Sequence, residues 1–370
     1  MIKLVDLVYY SHLNYTRPQD VTEKHAPALT FAPYLKNKLD FTFVKHAAFE
    51  QHVVMNGVPY YFFKGNNRFW SITIKTHRFI KKLKPDIVMV QGLVFPLQVM
   101  FLRLLCGNRF KLVIQHHGEL PSGGLKGRLQ KVACTMTDAF LFTSAGNADT
   151  WKQKGIIRSG ARIFELLEAS TAFKPVDKEL AKKYTKVTGD ANFIWVGHLN
   201  ANKDPLTVLK GFRDYLPANP GAKLYMIYQS EVLLSDIEEL IMSSAQLRDA
   251  VILVGEVANN DLPYWFSAAD FYISGSHKEG SGYALLEAMA CGCIPIVTTI
   301  PSYRKITVNG QHGFLYPAGD ANALGQTLKA LEGADWQKLS AAVLKHFNKK
   351  LSFKTIADDL VDICHQLIHK

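Results

Sequence analysis

The stretch KEGSGYALLEAMACGCIPIV, residues 278–297, decides the reading of this chain. Two glutamates, Glu279 and Glu287, stand eight positions apart, with Gly280-Ser281-Gly282 and a run of small and apolar residues between them. SGS at 274–276 ends a strand, and the composition predicts a helix from about Tyr283 to Cys291, stopped by Gly292. Glycines at such a turn let backbone N–H groups converge on one concave spot. The helix dipole there adds about 0.3–1 kcal/mol in favour of an anion. The turn therefore suits a phosphate. Glu287, just over one turn into the helix, can reach hydroxyls on one side of it, and Glu279 can reach hydroxyls on the other. A sugar nucleotide has this pattern: vicinal hydroxyls on either side of a diphosphate. Taken alone, the pair also reads as two solvated acids, or as the acid and nucleophile of a glycosidase. The glycosidase fits less well, because neither acid has an evidently apolar setting to raise its pKa.

A second stretch changes the balance. WVGHLNANKDPLTVLKGF (195–212) reads as strand, loop and helix, with Lys203 just before the Asp204-Pro205 helix start. A lysine there can meet a phosphate, and a hydrogen bond to a charged group contributes about 1.5–3 kcal/mol.

Outward from these motifs the chain alternates β-rich and helical runs. Strands are expected at 3–10, 40–47, 86–92, 111–118, 138–144 and 162–168, then at 192–199, 223–229, 251–257, 270–276, 294–299 and 313–317. Helical patterns fall at 26–39 and 69–84. Several strands are continuous apolar runs, which predicts parallel sheets covered on both faces. A polar, lysine-rich break at 173–192 divides the chain. The expectation is α/β: residues 1–172 form one Rossmann-like α/β/α domain and 173–352 a second. Residues 353–370 form an amphipathic helix, with Ile356, Leu360, Ile363 and Leu367 on one stripe, crossing back towards the first. In such sheets ligands bind beyond the carboxyl ends of the strands, and a cleft between two facing domains is the default site.

Composition narrows the class. The 370 residues are 48% hydrophobic and 20% charged, as in a soluble globular enzyme. MIKLVDLVYY does not read as a signal peptide, and no run reaches the length of a membrane span. The nearest, VMVQGLVFPLQVMFLRLL (88–105), reads as a strand, a turn and a buried helix. Five cysteines argue against a disulfide framework and for a reducing cytoplasm. Cys291 and Cys293 lack a second pair at zinc spacing and read as small packing residues. The net charge of +11 is uneven: residues 1–170 hold 23 Lys+Arg against 11 Asp+Glu, and residues 171–370 hold 20 against 21. The excess sits in segments such as RFIKKLK (78–84), KGRLQK (126–131) and WKQKGIIRSGAR (151–162). These read as solvated helix faces, or as a surface for anionic head groups or a phosphorylated substrate. No aromatic-plus-basic motif points to nucleic acid.

Together the motifs resemble the retaining nucleotide-sugar glycosyltransferases of family 4, with the GT-B fold. EGSGYALLEAMACGCIPIV is similar to that family's E-x7-E element, HGFLYPAGD (312–320) to its next landmark, and WVGHLNANKDPL to its phosphate-lysine loop. QHHGELPSGG (115–124) resembles its histidine loop, and LLEASTAF (166–173) lies where the family crosses between domains. The resemblance runs over the chain, strongest in 192–320 and weakest in 1–110.

The resemblance implies that Glu279 contacts the donor sugar, Glu287 the ribose hydroxyls and Lys203 the diphosphate. Gly280, Ser281, Gly282 and Tyr283 would approach the phosphates and sugar. His117 would contact the sugar, with His116 as the alternative, since only one of two neighbours on a strand faces a given side. Two departures stand out. His198 occupies the place of the family's arginine, five residues before the lysine, replacing a permanent charge with one that depends on pH. YYSHLNYTRPQD (9–20) lacks the glycines of the acceptor loop. The implied reaction is transfer of a sugar, with retention, from a UDP- or GDP-sugar to a glycan or lipid-linked acceptor in polysaccharide synthesis. It needs no cofactor, and the absence of an Asp-x-Asp pair implies no metal. The setting would be cytoplasmic, with peripheral contact at an anionic membrane face. The alternatives are a GT-B epimerase or phosphorylase, and a catalytically silent GT-B binding subunit.

Overall fold

A computed structural model of the protein describes residues 1–24, 30–65 and 72–369. It divides into two compact units, Met1–Ala169 with Phe353–Lys370, and Ser170–Ser352.

The first unit is built from β1 (Lys3–His12), α1 (Pro18–Lys24), β2 (Asp40–Ala47), β3 (Gln51–Met55), β4 (Val58–Lys64), α2 (Ile74–Leu83), β5 (Ile87–Gln91), α3 (Pro96–Cys106), β6 (Lys111–Gln115), α4 (Gly124–Thr135), β7 (Ala139–Phe142), α5 (Asp149–Gln153) and β8 (Ile163–Glu165). Its sheet runs β3-β4-β2-β1-β5-β6-β7-β8. Every pairing is parallel except β3 with β4. All five residues of β5 are buried, as a strand covered on both faces must be. Leu4, Phe41, Met89, Val113 and Leu141 face one apolar layer, while Val5, Val44, Val88, Leu112 and Phe140 face the other. This is the period-two alternation of strands.

Four expectations change here. The helical pattern over 26–39 is replaced, where described, by one 3-10 turn at Ala32–Leu35; residues 26–29 lie outside the described set. Pro33 and the left-handed Asn37 (φ 65°) break the run. The pattern at 69–84 becomes a helix at Ile74–Leu83, with 69–71 outside the described residues. The hairpin of β3 and β4 has no counterpart in the expected strands. Its turn is Asn56-Gly57, both at positive φ (52° and 79°), the geometry a two-residue hairpin demands. The helix expected to be buried at the end of 88–105 is α3, and its outer face is exposed.

The second unit comprises α6 (Lys178–Thr185), β9 (Ala191–Gly197), α7 (Pro205–Tyr215), β10 (Ala222–Tyr228), α8 (Leu234–Met242), α9 (Ala245–Ala250), β11 (Val251–Gly255), α10 (Leu262–Ala268), β12 (Phe271–Ser274), α11 (Tyr283–Ala290), β13 (Ile294–Thr298), α12 (Pro301–Ile306), β14 (Phe314–Tyr316), α13 (Ala321–Lys329) and α14 (Trp336–His346). Its sheet is wholly parallel in the order β11-β10-β9-β12-β13-β14. Phe193, Trp195, Leu224, Met226, Phe271 and Ile273 pack on one face against α7, α8 and α13. Cys291 and Cys293 are buried at the end of α11, with Cys293 Sγ 2.8 Å from the Phe266 carbonyl.

The last helix, α15 (Phe353–Ile368), belongs to the first unit. Ile356, Leu360, Ile363 and Leu367 enter the same apolar layer as Leu4 and Leu35. Lys38 Nζ reaches Asp358 at 2.5 Å, and the Arg162 guanidinium donates to the Gln366 carbonyl at 2.8 Å.

Candidate donor site

At the carboxyl ends of β9 and β12 two loops are laced together. The first, 198–204, ends at Asp204, which caps α7 by accepting the Thr207 N–H at 3.1 Å. The other Asp204 oxygen lies 3.0 Å from His277 Nε2 in the second loop. The His277 N–H donates to the Asn202 carbonyl at 2.8 Å, and Asn202 Nδ2 to the Lys278 carbonyl at 3.1 Å. A Cβ on Gly275 would stand 2.6 Å from the Asp204 carbonyl oxygen, so only glycine lets the loops approach this closely.

This lacing puts Lys203 and Glu279, 76 residues apart, side by side. Lys203 Nζ donates to Glu279 Oε1 at 2.5 Å. Both side chains are largely covered, at 21% and 13% exposed, so their attraction is screened less than that of a surface pair.

Gly282 starts α11 at φ 63°. A Cβ there would lie 2.6 Å from Tyr303 Cε1. The buried Tyr303 ring is held with its hydroxyl 3.3 Å from Ser274 Oγ and 3.4 Å from Ser276 Oγ. Thr298 donates to the Ser276 carbonyl at 2.6 Å and Tyr316 to that of Ser274 at 2.9 Å. The turn thus rests on a rigid hydroxyl floor. Gly280 is half-buried, Ser281 buried and Tyr283 exposed. The first amides of a helix have no partner within it and point along its axis.

Glu287 is half-buried on α11, and burial raises its carboxyl from 4.5 to about 7. From sequence this acid has no evidently apolar setting; in the structure its setting is apolar, because Leu285, Leu286, Ala288, Met289 and Ala290 beside it on the helix are all buried. His198 is exposed at the start of its loop, and its ring makes no hydrogen bond or ion pair among the described residues. His277 and Asp204, which tie the loops, were not singled out from sequence. Nothing local marks their pairing, since 73 residues separate them. Among the described residues no three His, Cys, Asp or Glu side chains gather as a metal would require.

In the first unit, His116 and His117 part company at the end of β6. His116 lies flat against Phe142, centroids 4.6 Å apart, with Nε2 2.9 Å from the Glu119 carbonyl. Burial lowers its pKa despite Glu119 and Glu168 nearby, which favours the neutral ring. His117 Nδ1 faces the Glu168 carboxylate, and Nε2 lies 2.7 Å from Gln91 Oε1. Gln91 Nε2 donates to Asp6 Oδ1 at 2.7 Å, which fixes the amide's orientation. Both ring nitrogens therefore face acceptors, and satisfying both requires an imidazolium. Burial opposes that charge, but the Glu168 hydrogen bond, with the charges of Glu168, Glu119 and Asp6, outweighs it and raises the pKa. Buried Asp6 is pushed up to about 6 by desolvation, against Gln91, His117 and Lys45.

Residues 176–342 match the family of glycosyl transferases group 1. The match lies within the second unit and takes in just under half of the chain. It is 29% identical over 154 residues to alpha-monoglucosyldiacylglycerol synthase of Streptococcus pneumoniae, covering 42% of this chain and 34% of that protein. It is 27% identical over 237 residues to poly(glycerol-phosphate) alpha-glucosyltransferase of Bacillus subtilis, covering 61% and 32%. The matches thus span about a third of the length of these curated relatives. Among solved structures, sucrose-phosphate synthase from Thermosynechococcus elongatus superposes with a TM-score of 0.71 at 16% identity, covering 99% of each chain. Anabaena HepE in complex with UDP gives 0.72 at 12% identity, covering 99% of this chain and 100% of that one. At these identities the likeness establishes the fold, which is GT-B.

Proposed function

We propose that the chain is a group 1 glycosyltransferase that moves a sugar, with retention and without a metal, from a nucleotide diphosphate to an acceptor hydroxyl. The observation that carries the reading is the covered Lys203–Glu279 pair beside the glycine start of α11, with Glu287 on the same helix. A cation already held there can pass from the carboxylate to a diphosphate, and the freed carboxylate can accept sugar hydroxyls. Glu287 accepts the ribose hydroxyls, and the amides around Gly280–Tyr283 take phosphate oxygens.

In the reaction the bond from the anomeric carbon to the diphosphate oxygen breaks, and a new bond to the acceptor oxygen forms on the same face. Positive charge builds on the sugar and negative charge on the leaving diphosphate. Lys203, with His198 when protonated, stabilises the latter. The acceptor's proton passes to the departing phosphate, so no enzyme nucleophile is needed. His117 enters as an imidazolium with both nitrogens engaged; it contacts the sugar only by exchanging its bond to Gln91. UDP, bound in the HepE structure, is the first base to try, with GDP beside it. A glycan or lipid-linked acceptor in cell-envelope synthesis fits the relatives' names.

The test is a thermal-shift panel of UDP, GDP, ADP and their sugar conjugates, with and without EDTA, on the native chain and Lys203→Ala. One base should raise Tm by mass action, undisturbed by EDTA, with the shift reduced in the variant. No shift with any nucleotide at millimolar concentration would overturn the reading.

A further inference from the structure

Helix α3, PLQVMFLRLLC, is apolar nearly all round, a pattern that ordinarily belongs to a fully enclosed helix. Val99, Leu102 and Cys106 do face the core. Its opposite face does not: Phe101 is 39% exposed and Leu104 68%. α3 lies against both α2 and α4 on the same side of the sheet. On α4, Leu125 and Val132, 74% and 40% exposed, share an outer stripe with Arg128, at spacings of three and four. Apolar side chains collected on one surface mark a binding face, whereas scattered ones do not.

The charge these helices themselves carry is of one sign. Residues 74–83, 96–106 and 124–135 contain no aspartate or glutamate. Arg78, Lys81 and Lys82 on α2, and Arg128 and Lys131 on α4, are exposed, and none has an ion-pair partner among the described residues. They fall within two of the basic segments that give the first half of the chain its excess charge. Beyond the ends of α3 and α4 opens a cavity of about 650 Å³ whose lining sets Arg109, Lys111 and Arg158 beside Asp86 and Asp138.

We propose that the outer face of α2, α3 and α4 docks the first unit on a bilayer containing anionic lipid. Phe101, Leu104, Leu125 and Val132 enter the boundary between head groups and acyl chains, and the flanking cations meet lipid phosphates. A second copy of the chain is a poor occupant, because a two-fold contact would set two acid-free cationic faces against each other. No described helix is long and apolar enough to cross a membrane, so the contact is peripheral. The assignment is independent of the donor site, none of whose residues lies on these helices.

Co-sedimentation of the full chain with vesicles tests it. Phosphatidylcholine vesicles with and without about a third phosphatidylglycerol are compared at low and high salt, using the native chain, Arg78→Gln/Lys82→Gln/Arg128→Gln and Phe101→Ser/Leu104→Ser. Binding should require the anionic lipid and weaken with salt. The charge variant should lose on the order of a hundredfold in partitioning, and the apolar variant about tenfold or more. Both should keep the native Tm and nucleotide response, which separates this result from any failure at the donor site. Equal binding to both vesicle types, no binding to either, or full binding by both variants would each overturn the proposal. So would a dimer that the substitutions dissolve, since the face would then be a protein interface.

Discussion

Replacing Glu287 by glutamine should stabilise the chain and weaken its hold on nucleotide at once. Burial raises the carboxyl from 4.5 to about 7. At about 1.36 kcal/mol per pH unit, the ionised form costs the fold about 3 kcal/mol relative to an exposed acid. Below 4.5 the group is protonated both folded and unfolded, and there is no penalty. Between 4.5 and 7 the folded state holds the proton while the unfolded state loses it, so stability falls as pH rises; above 7 the loss is complete. Glu287→Gln keeps the shape and removes the charge. It should raise Tm at pH 8.5 by up to about 6–12 °C for a unit of this size, and by little at pH 5. The same change takes away an anionic acceptor for ribose hydroxyls, whose hydrogen bonds contribute about 1.5–3 kcal/mol. Nucleotide affinity should therefore drop roughly tenfold to a hundredfold. Thermal scans at three pH values and calorimetric titration with the preferred nucleotide read both effects. An equal Tm gain at pH 5 and 8.5 would refute the buried-charge argument, and unchanged affinity would refute the ribose assignment.

Nitrogen NMR of His117 should show both ring nitrogens protonated at pH 6.5 and below, with a titration above 6.5; a ring titrating below 6.5 would contradict the imidazolium. Its pairing contributes stability that is full below 6.5 and is lost as pH rises through the raised value, so His117→Phe should destabilise by about 3–5 kcal/mol near pH 6 and by less in alkali. Gly282→Ala should cost about 1–3 kcal/mol in urea titrations. Gly333→Ala, at φ 76° with open space around the added carbon, should cost less, because it lacks the clash with Tyr303. Equal losses would show that backbone strain alone decides.

What could be read from the sequence follows from how local each signal is. Twelve strands were legible because runs such as IVMVQ and FYIS are apolar on both faces and bounded by polar turns. The helix after Gly282 was legible from its composition and its glycine borders. The β3–β4 hairpin carried a usable signal in Asn56-Gly57, but its outer strand is mostly exposed and lacks the apolar run that marked the others. The pattern at 26–39 misled because apolar spacing outvoted Pro33. Within the site, residue types and loop positions could be read, whereas pairings could not. Lys203 meets Glu279, and His117 meets Glu168 and Gln91, only once parallel strands bring distant loops together at the carboxyl end of each sheet. Glu287 looked solvated because a single acid among small apolar residues says nothing about which face of the helix is covered.

The last helix has a bearing on the order of assembly. Phe353, Ile356, Leu360 and Leu367 fill a layer of the first unit, yet the whole of Ser170–Ser352 is translated before them. On the ribosome, the amino-terminal sheet waits with Leu4, Leu35 and Phe41 only partly covered, while the second unit, contiguous in sequence, has all its parts and can fold first. The usual amino-to-carboxyl order of domain folding is thereby reversed for completion: the half that begins the chain is the last to be closed.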